Sequence, residues 1–339
     1  MTNLSLCMIT KNEAQHIERA LESVRFVVND MVVVDTGSTD GTAAIAAGMG
    51  ACINPQDWGD DFSAARNIAL DICSGRWALI LDADEELDSS SIPELLGILE
   101  APLAGAYYVT IRNHYRNGNT ATMDVAPVAE TDSRFLKMGC THYTDTPTIR
   151  LVDNTMEADW PTFTGRVHET LQPWIDAKGI RVGRTGIIVH HYGKLDDERE
   201  DFKEMYYLAL TVLDYRDRPE DKRTSYNLAI HAFKAGLWKQ ALEAAERYMG
   251  LGSDSETTVV LVAALACQKM GRWTDSEHYL RAILKSFPDH VLSLNAMAVA
   301  RIMAGDMELA STLVKHSLEV NPDFQQTRNI EYDIRRSGL

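Results

Sequence analysis

Two carboxylates stand two residues apart in Asp82-Ala83-Asp84, directly after the apolar run Trp77 to Leu81. A strand that ends in such a pair lies where open α/β sheets bind ligands, outside their carboxyl edge. Paired oxygen donors suit a hard divalent ion, and such an ion bridges phosphates and neutralises the charge of a departing diphosphate. The bland alternative is a solvated acidic turn that runs on through Glu85, Glu86 and Asp88. A third carboxylate, Asp35, closes the apolar stretch Val32-Val33-Val34 and opens the turn Thr36-Gly37-Ser38. Asp-Thr-Gly-Ser is also the aspartic-protease signature. That chemistry needs a β-rich domain and a second catalytic aspartate, whereas a helical pattern follows at Thr39 to Ala47 and no second Asp-Thr-Gly occurs. No G-x-G-x-x-G follows the first apolar run, so a dinucleotide site is not expected. His168-Glu169 is not a zinc-protease helix either, because Gln172 stands where the second histidine is needed.

The elements that must position these groups are legible as alternating periods. Leu4 to Thr10, Met31 to Asp35, Trp77 to Leu81 and Ala106 to Arg112 read as strands, with further strands at Thr148 to Val152 and Gly186 to His191. Between them, Glu13 to Arg25 sets Ile17, Ala20, Leu21 and Val24 on one helical face, and Asp61 to Ile72 repeats the pattern. Strand-helix alternation of this kind predicts an α/β, Rossmann-like, mostly parallel sheet. Residues 113–147, rich in Asn, Thr, Gly, Asp and Pro, read as a long loop or lid over the site.

The last 140 or so residues are alanine-rich and carry no β-type runs. Gly236, Gly271 and Gly305 lie 35 and 34 residues apart, each followed two positions later by Trp238, Trp273 or Met307 and then by Ala241, Ser276 or Ala310. Pro288 and Pro322 close two units 34 apart, and Pro219 keeps the phase one unit before Ser253. This resembles the tetratricopeptide repeat: a glycine ends the first helix, a large residue fills the turn, and a small residue lets the second helix approach. The period runs over roughly residues 198–325, predicting an all-α solenoid. Binding a peptide or partner, or a homodimer through the repeats, is its expected role.

Charge narrows the partners. With 33 basic against 49 acidic residues the formal charge is −16, which excludes a general nucleic-acid clamp and makes a nucleic-acid partner unlikely. No apolar run approaches the roughly 20 residues of a membrane span. The first residues show neither a basic region before an apolar stretch nor a small-residue cleavage site, so a cytoplasmic location is expected. The five cysteines are odd in number and unpaired by any C-x-x-C, and are expected to be reduced structural thiols.

Taken in order, Leu6-Cys7-Met8-Ile9-Thr10-Lys11-Asn12-Glu13, Val34 to Asp40, Ala65-Arg66-Asn67 and Leu81-Asp82-Ala83-Asp84-Glu85 resemble the family 2 glycosyltransferases of GT-A fold. The nearest flavour is the group of peptide S-glycosyltransferases and lipopolysaccharide-core glucosyltransferases. Arg166-Val167-His168-Glu169 and His190-His191-Tyr192-Gly193 are similar to two later elements of that family. The resemblance implies that Thr10, Asn12, Glu13 and Asp35 line the nucleotide pocket, with Asp35 reading the base. It implies that Asp82 approaches the ribose or metal, that Arg66 faces the nucleotide or diphosphate, and that Asp84 ligates Mn²⁺ or Mg²⁺. His191 is the second candidate for the metal, Glu169 the catalytic base, and His168 at most an orienting group. Whether His190 or His191 serves the site is left open.

The expected architecture is a GT-A domain over residues 1–195 followed by a tetratricopeptide-like domain over 196–339. The expected function is metal-dependent, inverting sugar transfer from a nucleotide-sugar, a UDP-sugar by the resemblance, to a peptide or protein side chain or a glycan. A noncatalytic scaffold with a degenerate transferase domain is the rival from another class. A nucleotidyltransferase is the nearer one, but no basic glycine-rich triphosphate loop supports it.

Overall fold

The computed structural model describes residues 3–116, 126–127, 133–154, 160–195, 200–252 and 256–336. The chain divides into two compact units, Met1–Asp201 and Phe202–Leu339.

In the first unit the described residues form a nine-stranded sheet. Its strands are β1 (Leu4–Thr10), β2 (Asp30–Asp35), β3 (Cys52–Pro55), β4 (Trp77–Ile80), β5 (Glu85–Leu87), β6 (Ala106–Tyr115), β7 (Ala126–Pro127), β8 (His142–Asp153) and β9 (Val182–His191). The order is β3-β2-β1-β4-β8-β6-β9-β5, with β7 on β8. The expected parallel sheet is the segment β3-β2-β1-β4. Beyond β4 the sheet is mixed: β8 pairs antiparallel with both β4 and β6, β6 runs parallel to β9, and β5 closes antiparallel on β9.

Alternation along the central strands builds two cores. Leu4, Leu6 and Met8 face one side with Val33, Trp77, Leu79 and helix α1 (Ile17–Val24). Cys7, Val32, Val34, Ala78 and Ile80 face the other, with Leu70 of helix α3 (Phe62–Ile72) and Trp174 of α6 (Gln172–Lys178). Both faces of β1 are covered, which is why it reads as a continuous apolar run. Helices α2 (Thr42–Gly48), α4 (Ile92–Glu100) and α5 (Ser133–Lys137) complete the unit.

The expected loop over 113–147 is shorter at both ends. β6 runs on to Tyr115 and β8 already starts at His142, because the two strands pair residue for residue from Ile111↔Thr146 to Tyr115↔His142. The rest of that expected loop, apart from β7 and α5 with the turn after it, lies outside the described residues.

The second unit holds α7 (Glu200–Asp217), α8 (Lys222–Lys234), α9 (Trp238–Gly250), α10 (Thr257–Lys269), α11 (Trp273–Ser286), α12 (Val291–Met303), α13 (Met307–Val320) and α14 (Gln325–Arg336). Gly236, Gly271 and Gly305 each follow the first helix of a pair with φ of 76°, 73° and 78°, a conformation that penalises any Cβ. Ala241, Ser276 and Ala310, one turn into each second helix, are fully buried where the paired helices meet. Among the described residues no helix is long and apolar enough to cross a membrane.

Candidate active site

The carboxyl ends of β1, β2 and β4 share one edge of the sheet. Register places Thr10 beside Asp35, and the Thr36 amide donates to the Thr10 carbonyl at 3.0 Å. Asp35 is 5% exposed, and its Oδ1 accepts from the amides of Gly37 and Ser38 at 2.9 and 2.7 Å, tying the glycine turn. The β1 loop closes on that turn: Asn12 donates from its amide to Ser38 Oγ and accepts from the Thr39 amide through Oδ1. Asn12 takes a left-handed φ of 56° to do so. The Glu13 amide donates to Thr42 Oγ1, while its carboxylate pairs with His16 Nδ1 at 2.8 Å. Thr10, Asn12, Glu13 and Asp35 thus sit on two interlocked loops. Thr10 Oγ1 is buried with no hydrogen-bond partner among the described residues.

Asp82, just past β4, stands in a buried chain of charges. Arg66 of α3 donates from Nε to Glu169 Oε1 at 2.5 Å and from Nη2 to Asp82 Oδ1 at 2.6 Å. Arg150 of β8 donates from Nη2 to Asp82 Oδ2 at 3.0 Å and to Glu85 Oε1 at 2.7 Å. Burial works against the charge on Asp82, but Arg150 and Arg66 outweigh it and hold the carboxyl well below the usual carboxylate range. Glu85 is the opposite case: burial dominates the attraction of Arg150, and Asp82 adds repulsion, so its carboxyl is pushed up to about 7. Burial also opposes the charge of Arg66, but Asp82 and Glu169 together raise it above even its ordinary high value.

Glu169 is brought to Arg66 by a short loop that a Thr164↔Thr170 bridge closes. Asp61 caps α3 by accepting from the Ala64 amide, and the Phe62 amide donates to the Arg166 carbonyl. Asn67 clamps the loop from below, donating to the Phe163 carbonyl at 3.0 Å and accepting from its amide at 2.8 Å. His168 has φ 53°, a strained value for a residue with a Cβ.

Asp84 meets His191 on the antiparallel pair β5–β9, where Glu85 lies opposite His191. Asp84 Oδ2 is 3.3 Å from His191 Nε2. His191 Nδ1 bonds Asn113 Oδ1 at 2.7 Å, and the Asn113 amide nitrogen faces the oxygens of Ile111, Thr144 and Thr146. That arrangement assigns the ring proton to Nδ1 and leaves the Nε2 lone pair toward Asp84 in the neutral ring. In that neutral tautomer two acceptors face each other, a conflict that a proton on Nε2 or a bound cation would remove. Burial lowers the imidazole pKa, but the hydrogen bond and charge of Asp84 outweigh it and raise it. A Cβ on Gly193 would collide with Asp84 Oδ2 and lie 2.7 Å from His191 Nε2, so the pair also requires a glycine. His190 points the other way: Nε2 bonds Asp88 at 2.8 Å and Nδ1 meets His114 at 3.0 Å. His191 is therefore the histidine beside Asp84.

Of the predicted residues, Arg66, Asp82 and Glu169 form one cluster, Asp84 and His191 a second, and Thr10, Asn12, Glu13 and Asp35 a third. Among the described residues no three His, Cys, Asp or Glu side chains are grouped to hold an ion. Asp84 and His191 could supply two ligands to a divalent ion, the remaining ones having to come from water or a ligand's oxygens. Sequence reasoning missed Arg150, Glu85, Asn113 and the positional roles of Asn67 and Gly193. An arginine inside the otherwise apolar run Thr148 to Val152 was the available signal for Arg150. Glu85, which the alternative reading placed in a solvated turn, is 2% exposed.

Residues 5–155 match the glycosyl transferase family 2 model, and residues 261–313 match a tetratricopeptide repeat model. A TPR repeat-containing protein of Synechococcus elongatus is 49% identical over 109 residues, 32% of this chain and 27% of that one. An uncharacterized glycosyltransferase of Rickettsia felis is 40% identical over 95 residues, 28% of this chain and 33% of that one. The lipopolysaccharide core biosynthesis glycosyltransferase LpsC of Rhizobium meliloti is 36% identical over 101 residues, 27% of this chain and 37% of that one. The matches thus span about a third of these relatives' lengths.

Proposed function

With a family 2 glycosyl transferase domain at residues 5–155 and a tetratricopeptide repeat at 261–313, we propose that this chain moves a sugar from a nucleotide-sugar to an acceptor. The transfer is inverting and uses Mn²⁺ or Mg²⁺. The observation that carries the reading is the Asp84–His191 pair, a carboxylate and an imidazole nitrogen 3.3 Å apart at the same sheet edge as Asp35 and Asp82. A bound divalent ion would supply charge neutralisation for the departing nucleoside diphosphate.

The chain's own groups do the rest. The two interlocked loops of Thr10, Asn12, Glu13 and Asp35 take the nucleoside, with Asp35 toward the base, and UDP is the expected nucleotide. Asp82 is fixed at the ribose side by its two arginines. Arg66 offers the diphosphate a planar donor, which suits phosphate oxygens in an otherwise acidic unit. Glu169 accepts the acceptor's proton as the new bond to the anomeric carbon forms and the bond to the diphosphate oxygen breaks.

Acceptors of two kinds are supported. The repeats favour a peptide or protein side chain, and the likeness to LpsC favours a glycan. The repeats also offer a surface for a homodimer, and the cytoplasm is the proposed compartment. A noncatalytic scaffold would have no reason to keep Asp82, Asp84 and Glu169 together with their buried partners.

A panel of nucleotide-sugars, with and without Mn²⁺, tests the reading by thermal shift and nucleoside-diphosphate release, on wild type and Asp84→Ala. Stabilisation and slow hydrolysis of one donor, lost in the variant, is the expected result. No response to any donor would sink the catalytic reading in favour of the scaffold.

A further inference from the structure

Resting on that reading, we infer that Arg66 is an interlock between donor and base: it holds Glu169 in the free protein and releases it when a nucleoside diphosphate takes its place. Glu169 Oε1 accepts a hydrogen bond from Arg66 Nε at 2.5 Å, so in the free protein that oxygen is tied to a permanent cation. Arg66 is the only described side chain that joins the Asp82 and Glu169 carboxylates. Its Nη1 is buried with no hydrogen-bond partner among the described residues, as is Nε of Arg150. An arginine that is 6% exposed and lacks a partner for one of its nitrogens has an unmet demand for an anion.

Which partner gives way is decided by how each is held. Asp82 follows a central strand directly and is gripped on its other oxygen by Arg150. Glu169 stands on a loop closed next to it by the Thr164↔Thr170 bridge, and among the described residues its carboxylate is held by one arginine, Arg66, on Oε1 alone. Phosphate oxygens compete for the same planar fork as a carboxylate. The cheaper exchange costs the Glu169 contact and keeps the Asp82 one. Donor binding therefore frees the base, and an acceptor arriving first meets a carboxylate still tied to Arg66. Arg150 is the positioning residue that makes the exchange one-sided.

The interlock makes an unusual demand on binding: removing the base must improve affinity for the leaving nucleotide. Calorimetric titration of UDP, with GDP and CDP alongside, in the presence of Mn²⁺ reads it directly. Glu169→Gln and Glu169→Ala should each bind the preferred diphosphate at least three-fold tighter than wild type. The gain should vanish when either is combined with Arg66→Gln. A thermal melt certifies that each variant is folded, and either one alone suffices. If folded Glu169 variants bind no tighter than wild type, or if the gain survives Arg66→Gln, the interlock is overturned while the transferase reading stands. If wild type binds no nucleoside diphosphate with Mn²⁺, the transferase reading itself falls.

Discussion

At the scale of single residues, Gly193 is as informative as the groups it adjoins. Asp84 and His191 meet beside Gly193, where a Cβ would displace one or both side-chain tips. Gly193→Ala should therefore leave the distant core intact yet weaken Mn²⁺ binding by at least about ten-fold, comparable to losing a supporting group of a metal site. Metal titration by calorimetry checks this, and unchanged affinity would remove the pair from the metal. Glu85 makes a separate prediction about stability. Its folded pKa of about 7 exceeds the ordinary 4.5, so the folded protein binds the extra proton. The resulting stability is complete below about pH 4.5 and lost as pH rises through about 7. Glu85→Gln should lack this component in metal-free denaturation curves taken across that range. Asp84, Glu169 and His191 could be singled out as candidates in the sequence because their motifs resemble a family. Arg150 was not, since a salt bridge to residues 65 and 68 positions away leaves no trace in local pattern.

Elements decide how these residues are held. Asn67 makes two hydrogen bonds with the backbone of Phe163, across 96 residues of chain. Asn67→Ala orphans both backbone groups and should cost about 1–3 kcal/mol. Since it loosens the loop of Glu169 rather than the nucleotide loops, kcat should fall more than donor KM rises, and equal effects on both would refute that division. In the repeats, Ser276 is fully buried and its hydroxyl has no partner among the described residues. Ser276→Ala removes an unsatisfied polar atom and should hold or raise the melting temperature, whereas a clear fall would mean that the hydroxyl is paired. The repeat was legible because glycine, a large apolar residue and a small residue recur in phase. The long pairing of β6 with β8 was not, because Asn113, Thr144, Asp145 and Thr146 are residues that loops also use.

Across the whole molecule the charge is unevenly divided. The first unit carries 16 basic against 31 acidic residues, a formal −15, and the second 17 against 18, a formal −1. A field of that sign draws in divalent cations and repels polyanionic acceptors. Apparent Mn²⁺ affinity should therefore weaken steadily as KCl is raised from 20 to about 300 mM, as screening shortens the field's reach. An affinity independent of salt would confine metal attraction to the immediate ligands.

The position of β9 between β6 and β5 has a consequence for biosynthesis. β5 is hydrogen-bonded in the sheet through β9, and β9 ends more than 100 residues later in the chain. At ribosomal speeds of about 5–20 residues per second, β5 waits roughly 5–20 seconds for its neighbour to be made. The stretch that carries the family signature ends at residue 155, before Glu169 and His191 have been synthesised. A nascent chain thus displays the acidic motif well before its later partners exist, and translation must pass residue 191 before Asp84 and His191 can meet.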